Sequence, residues 1–301
     1  PFTIWGIAGT SQTARIRNYN QFIKIERNEV KHYGNEKKFQ EMNVNLTQKI
    51  VDICKEYKKR FIHISSISVS GNDLLTSSKQ DITFSESCLY IGQDLSNVYI
   101  HSKFEAEKLI LQQIPNGLNA QILRLGNMTN RFVDGKFQIN PENNAFIARL
   151  KTFIKLNSIP INFLDMPLEF TPVDLCADAI IDILQNNLPT VNVFHLYNDQ
   201  YVSMKQLIKI LEQFHIHLQA VSKEEFQKQI EQILLDHEKK EILSGIVTDI
   251  SSTQQLDYTS QISTTCEFTK FFLKLVGFHW NRIDDTYLQK YVKYLKDINF
   301  I

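Results

Sequence analysis

Tyr99-Ile-His-Ser-Lys103 sets a phenol and an ammonium four residues apart at the start of a predicted helix, Tyr99 to Gln113, and therefore on one face of it. A cation beside a phenol favours the phenolate and brings a group whose ordinary pKa is ~10 toward neutrality, where it can donate or accept a proton. Upstream, the hydroxyl-rich run Ser65-Ser66-Ile67-Ser68-Val69-Ser70-Gly71 follows a short apolar strand, Phe61 to Ile64. Downstream, a strand predicted over Ala120 to Leu125 ends in Gly126-Asn127. A Tyr-x-x-x-Lys pair is common by chance, and a serine run or an Asn after a strand is ordinary turn chemistry. The weight comes from order: hydroxyls at one strand end, the Tyr/Lys helix, then a second strand end.

These residues need elements to hold them. From Lys37 to Lys59 the residues Phe39, Met42, Val44, Ile50, Val51, Ile53 and Cys54 fit one helical stripe, and the basic end Lys58-Lys59-Arg60 suits a helix C-terminus. The strand at Phe61 follows, then a polar loop from Asn72 to Asn97, the Tyr99 helix and the Ala120 strand. Helices over Glu142 to Leu156 and Asp174 to Gln185 precede a strand over Val191 to Leu196. This alternation predicts an α/β fold with a doubly wound, Rossmann-like parallel sheet, whose sites form beyond the strands' carboxyl ends. Ser66 and Asn127 both fall at such ends. After Asn198 the pattern turns mainly helical (Met204 to Phe214, Lys223 to Leu235, Phe268 to Val276, Thr286 to Leu295), with one short strand over His215 to Val221. The expected organisation is a segment 1–29, a sheet domain 30–198 and a smaller, mainly helical substrate domain 199–301.

Composition narrows the function. Thirty-three basic residues balance thirty-three acidic ones, so no net field draws nucleic acid or an anionic membrane. The four cysteines are scattered without a Cys-x-x-Cys pair, which suits reduced thiols in a cytoplasmic protein rather than a disulfide frame or zinc site. No apolar run approaches the ~20 residues of a membrane span. His215 and His217 alternate on the predicted strand, but no third ligand accompanies them and no metal site is expected. Glu105 and Glu107 read as helix-face charges, Glu107 pairing locally. Tyr287, Tyr291 and Tyr294 form a packing stripe, and His237-Glu-Lys-Lys240 a solvated helical face.

The chain resembles the extended short-chain dehydrogenases, and within them the thioester reductase domains that terminate nonribosomal peptide synthetases. The resemblance runs from about residue 30 to 298. It is carried by Val30-Lys-His-Tyr-Gly34, Asn43-Val-Asn-Leu-Thr47, His63-Ile-Ser-Ser-Ile-Ser-Val69, Tyr99-Ile-His-Ser-Lys-Phe-Glu-Ala-Glu107, Arg124-Leu-Gly-Asn127, Asp134-Gly-Lys-Phe-Gln-Ile-Asn140, Glu169-Phe-Thr-Pro-Val-Asp174 and Gly277-Phe-His-Trp280. The resemblance implies Ser66, Tyr99 and Lys103 as catalytic residues. Val30, Gly126 and Asn127, with Tyr99 and Lys103, would line the cofactor site. It implies hydride transfer from NADPH to a thioester on a phosphopantetheinyl carrier domain, with release of an aldehyde and possible onward reduction to the alcohol.

One departure qualifies this. The family opens with a strand and a G-x-x-G-x-x-G loop whose helix N-terminus takes the pyrophosphate. Here Gly6-Ile-Ala-Gly9 is followed by Gln12 in the third glycine position, Arg27-Asn28-Glu29 replaces a small apolar strand end, and only 29 residues precede Val30. The family has on the order of a hundred there, by a two-βα-unit count. Ten glycines in 301 residues fit a chain without that loop. The expectation is a truncated copy that binds NADPH weakly. Two rival readings follow: a non-catalytic remnant that docks a carrier domain, and a sugar-nucleotide epimerase or reductase of the same superfamily.

Overall fold

Five consecutive buried residues followed by one partly buried make Phe61–Ser66 (β1) a strand covered on both faces, as parallel sheets require. It pairs in parallel with Ala120–Leu125 (β3), placing Phe61 opposite Ala120 and Ser65 opposite Arg124, and Val193–Leu196 (β8) adds the third strand in the order β1-β3-β8. The structure, a computed structural model, describes residues 36–75, 82–138, 141, 144–186, 191–235, 240–246 and 260–301. Gly6 to Gly9, Gln12, Val30 and His237 to Lys239 lie outside them. The predicted α/β class with a parallel sheet is borne out.

The chain forms two units. Among the described residues the first comprises those up to Leu125, Val191 to His195, and Ser260 to Thr269; the second holds the rest. In the first, the predicted helix at Lys37 is a continuous helical segment: Glu36–Phe39 (α1), a π-helical stretch Gln40–Asn45, and Leu46–Glu56 (α2). Its Ile50, Val51 and Cys54 pack with Phe61, Ala120, Ile122 and Ile110, the last from Val98–Gln113 (α3). The predicted Asn72–Asn97 loop is only partly irregular. Ile82–Phe84 (β2) pairs in parallel with Ile262–Thr264 (β11), and Phe84 is fully buried. A three-residue strand whose partner lies far along the chain leaves no local period to read.

The second unit is built on aromatic packing. Its short parallel pairs are Met128–Thr129 (β4) with Thr171–Pro172 (β7), and Ser158–Pro160 (β5) with Gln219–Val221 (β10); Pro167–Leu168 (β6) runs antiparallel to Val202–Ser203 (β9). The helices are Ala145–Leu156 (α4), Val173–Gln185 (α5), Met204–Gln213 (α6), Lys223–Leu235 (α7) and Asp285–Asp297 (α9), while Glu267–Leu275 (α8) spans the point where the chain passes from the first unit to the second. Phe153 meets Phe163 and Phe226 edge-on, and Phe170 meets Tyr287 and Tyr291 edge-on. The tyrosine stripe on α9 therefore packs as its spacing predicts. The strand predicted over His215 to Val221 shrinks to β10, because His215 adopts φ 63° and donates its N–H to the Glu212 carbonyl in the turn that closes α6. His215 and His217 thus share no strand face.

The two fully buried tyrosines of α9 differ in their hydroxyls. Tyr287 donates to the Asn130 carbonyl at 2.8 Å and bonds Thr129 Oγ1 at 2.8 Å. The buried Tyr291 hydroxyl has no hydrogen-bond partner among the described residues. A buried polar group left unbonded costs ~1–3 kcal/mol, whereas a satisfied bond contributes ~1 kcal/mol. Tyr291→Phe is therefore expected to stabilise the chain by about 1 kcal/mol and Tyr287→Phe to destabilise it by about the same. Urea unfolding of the two variants beside the parent checks the opposite signs.

Candidate functional site

One face of α3 carries Tyr99, Lys103, Glu107 and Ile110 at helical spacing, all buried. Asn97 starts the helix: its side-chain oxygen accepts the backbone N–H groups of Tyr99 and Ile100 at 3.0 and 3.2 Å, which fixes Tyr99 in the first turn. The Tyr99 ring also packs edge-on against Phe39. Opposite it, β1 ends at Ser66, whose hydroxyl accepts the Ser68 N–H at 3.1 Å and so begins a 3₁₀ turn over Ile67–Ser70.

The structure brings Ser66, Tyr99 and Lys103 together. The Tyr99 phenol shares a hydrogen bond with the Ser66 hydroxyl, and Lys103 Nζ lies 5.9 Å from the centre of the Tyr99 ring. Burial pushes the Tyr99 phenol above its usual range, with the Ser66 bond opposing that shift. The spacing of the pair predicted the reverse, a phenol lowered by its cation. Desolvation outweighs it here. Burial also lowers the Lys103 ammonium to about 8, against the attraction of Glu107.

Glu107 corrects a second expectation. It is not an exposed helix charge but a fully buried carboxylate, bonded by the Arg124 guanidinium from β3 through Nη2 at 2.7 Å and Nε at 3.0 Å, and by the Ser65 hydroxyl. Arg124 Nη1 in turn lies 2.9 Å from His195 Nε2, and His195 Nδ1 lies 2.6 Å from the Thr265 carbonyl. A guanidinium only donates, so Nε2 accepts and Nδ1 carries the hydrogen. His195 is thereby neutral, its pKa pushed down to about 3 by burial and by Arg124. His63 on β1 is also neutral, down to about 3 through burial and the Lys103 charge, with neither ring nitrogen bonded among the described residues. The clue in the sequence was Arg124 itself: a guanidinium inside Ile122-Leu-Arg-Leu125 needs a buried anion.

Gly126 and Asn127 belong to the second unit, where Glu169 holds them. The Asn127 N–H donates to Glu169 Oε1 at 2.9 Å, and Thr171 Oγ1 donates to the same carboxylate. The carboxylate lies against Gly126 so closely that a Cβ there would meet Oε1 at 2.3 Å, so only glycine fits. The partners of Glu169 are neutral donors, and burial pushes its pKa from 4.5 up to about 7. Among the described residues no group of three His, Cys, Asp or Glu side chains is placed to hold a metal ion.

A carboxyl that is harder to ionise in the folded chain favours folding while protonated, and that contribution is lost as pH rises through the interval from 4.5 to about 7. Relative to Glu169→Gln, the parent is therefore expected to lose stability across this interval and to show a constant difference above it. Thermal unfolding of both proteins at a series of pH values measures it.

The family model described as "Male sterility protein" matches residues 27–180, just over half of the chain. A non-reducing polyketide synthase, SAT8 of Stachybotrys chartarum, is 27% identical over 165 residues, which are 53% of this chain and 6% of that protein. A thiolation-reductase di-domain from an archaeal non-ribosomal peptide synthetase superposes with TM-score 0.76 at 29% identity, covering 90% of this chain and 56% of that one. The reductase domain of the aureusimine biosynthetic cluster gives 0.71 at 26% identity, covering 88% and 68%. This chain thus spans a small part of the synthase and about half of the di-domain. With the parallel sheet and the Tyr99/Lys103 helix in place, the chain belongs to the Male sterility protein family of NAD-binding extended short-chain dehydrogenases, and within it is similar to reductase domains of nonribosomal peptide synthetases.

Proposed function

We propose that this chain is the reductase that releases an acyl or peptidyl group from a phosphopantetheinyl carrier domain by NADPH-dependent reduction of its thioester. The observation that carries the reading is the convergence of the Ser66 hydroxyl, the Tyr99 phenol and the Lys103 ammonium at the carboxyl end of β1. Two hydroxyl donors side by side, Ser66 and Tyr99, suit a carbonyl oxygen that gains negative charge, where each preorganised donor lowers the barrier by ~3–4 kcal/mol.

The donor set also fits the cofactor. Lys103 and Tyr99 would hold the nicotinamide ribose; of the other candidates, Val30 lies outside the described residues, and Gly126 and Asn127 belong to the second unit. NADPH, when bound, supplies the hydride. Ser66 and Tyr99 bind the thioester oxygen, and Tyr99 gives it a proton. A phenol kept neutral by burial suits that donation, and Lys103 stabilises the tyrosinate left behind. The hemithioacetal then loses its C–S bond, yielding an aldehyde and the carrier thiol.

Tyr99→Phe keeps the ring and removes the proton, so turnover is expected to fall ~100-fold or more with folding intact. The assay follows NADPH oxidation and aldehyde formation with an acyl thioester loaded on a carrier domain. A nucleotide sugar serves as the competing substrate, and turnover of it alone would move the reading to an epimerase or sugar reductase. Calorimetry of the same chain tests the weak NADPH binding expected from its sequence: a folded protein that binds no NADPH but does bind the carrier would be a docking module.

A further inference from the structure

We propose that Glu107 is a positioning residue of this site: its buried carboxylate ties the strand end that carries Ser66 to the helix face that carries Lys103, and it holds the proton on Lys103. The inference rests on reading Tyr99 and Lys103 as the proton-handling pair. Its grounds are geometric. Glu107 lies one helical turn beyond Lys103 on the same buried face of α3 and accepts the hydroxyl of Ser65, the neighbour of Ser66. The ion pair of Glu107 with Arg124 is closed to solvent on both sides.

Charge counting gives the rest. A carboxylate whose whole duty was Arg124 would leave its surroundings neutral. Here the same buried face also holds the Lys103 ammonium, so two cations share one anion. Among the described residues of β1, the Glu36–Glu56 segment and the 3₁₀ turn, no side chain adds a second buried negative charge. His63 on β1 is neutral, and the Tyr99 phenol is held protonated by burial. On the helical segment Glu36–Glu56 packed against α3, every Lys, Asp and Glu is exposed, and the 3₁₀ turn Ile67–Ser70 has no titratable group. Glu107 is therefore the anion that opposes the desolvation of Lys103.

The test reads Lys103 directly. The full chain, with lysine labelled at the ε-carbon, is titrated by NMR, and the Lys103 signal is identified by its loss in Lys103→Arg. In Glu107→Gln the midpoint is expected to move to lower pH by about one pH unit or more, the effect of losing an opposite charge at close range. Because that variant strands Arg124, the paired variant Glu107→Gln/Arg124→Gln, with no unmatched charge, is measured as well. If Glu107 only neutralises Arg124, the paired variant keeps the parent midpoint, and the proposal is overturned. A midpoint that stays low in the paired variant and returns in Glu107→Asp supports it.

Ser65→Ala tests the tie to the strand in a protein that retains both charges. It is expected to lower kcat with KM and the Lys103 midpoint unchanged; an unchanged kcat overturns that half. The NMR midpoint is independent of turnover. A shifted midpoint in a chain that reduces no thioester would sink the reductase reading and leave the electrostatic role of Glu107 in place.

Discussion

Two charges with no exposure to solvent, Glu107 and Arg124, set the terms for the first unit. Desolvating an ion pair costs several kcal/mol per ion, and the attraction offsets this only when the remaining lone pairs and hydrogens are also matched. They are. The guanidinium meets the carboxylate through two nitrogens, its third faces His195 Nε2, and the flat of the group lies over the Phe84 ring at 4.8 Å. Such a pair contributes alignment more than stability. In the observed register Ser65 stands opposite Arg124, and both reach the same carboxylate. A slip of one residue would send one of them to the other face of the sheet. The alignment that satisfies the ion pair is also the one that brings Ser66 to Tyr99.

Polarity is graded along that sheet face. At the amino end of the strands Phe61, Ala120 and Ile122 pack on Ile110, Ile50 and Val51; at the carboxyl end the same alternating positions become Ser65 and Arg124. The helix follows the same gradient, from Ile110 through Glu107 and Lys103 to Tyr99. The apolar end excludes water from the polar end. That exclusion, more than any direct contact between phenol and ammonium, sets the proton affinities: Tyr99 rises and Lys103 falls. The pair is thereby poised with a neutral phenol, the state a reductive step consumes.

Much of this was legible in the sequence wherever a local period governs the outcome. The α3 helix, β1, β3 and the tyrosine stripe of α9 all follow from spacing, and the Tyr-x-x-x-Lys pair picked out the residues that converge. What could not be read were partners chosen by tertiary contact. The rule for neighbours three and four apart gives Glu107 a local role, yet its strongest partner is Arg124 on a strand; the same rule does serve Glu105, which pairs with Lys108. Asn97 looked like the end of a polar loop because a cap and a turn use the same residue types. Phe84 sat unnoticed in that loop because β2 has three residues and its partner β11 lies after Ser260.

The second unit repeats the device with a different chemical result. Glu169, just after β6, is a buried carboxylate that holds neighbouring backbone, and like Glu107 on α3 it accepts a hydroxyl, from Thr171 where Glu107 takes that of Ser65. Glu107 also receives a guanidinium, whereas Glu169 receives the Asn127 N–H. Neutral donors offset less of the desolvation than a cation does, so Glu169 ionises only near neutrality. Thr171 passes the constraint on, because its hydroxyl oxygen accepts the Asn198 N–H at 2.9 Å. One carboxylate thus fixes the Gly126–Asn127 turn and, through Thr171, the chain at Asn198. The glycine at 126 follows from that arrangement: the space a side chain would need is filled by the oxygen atoms that hold the turn.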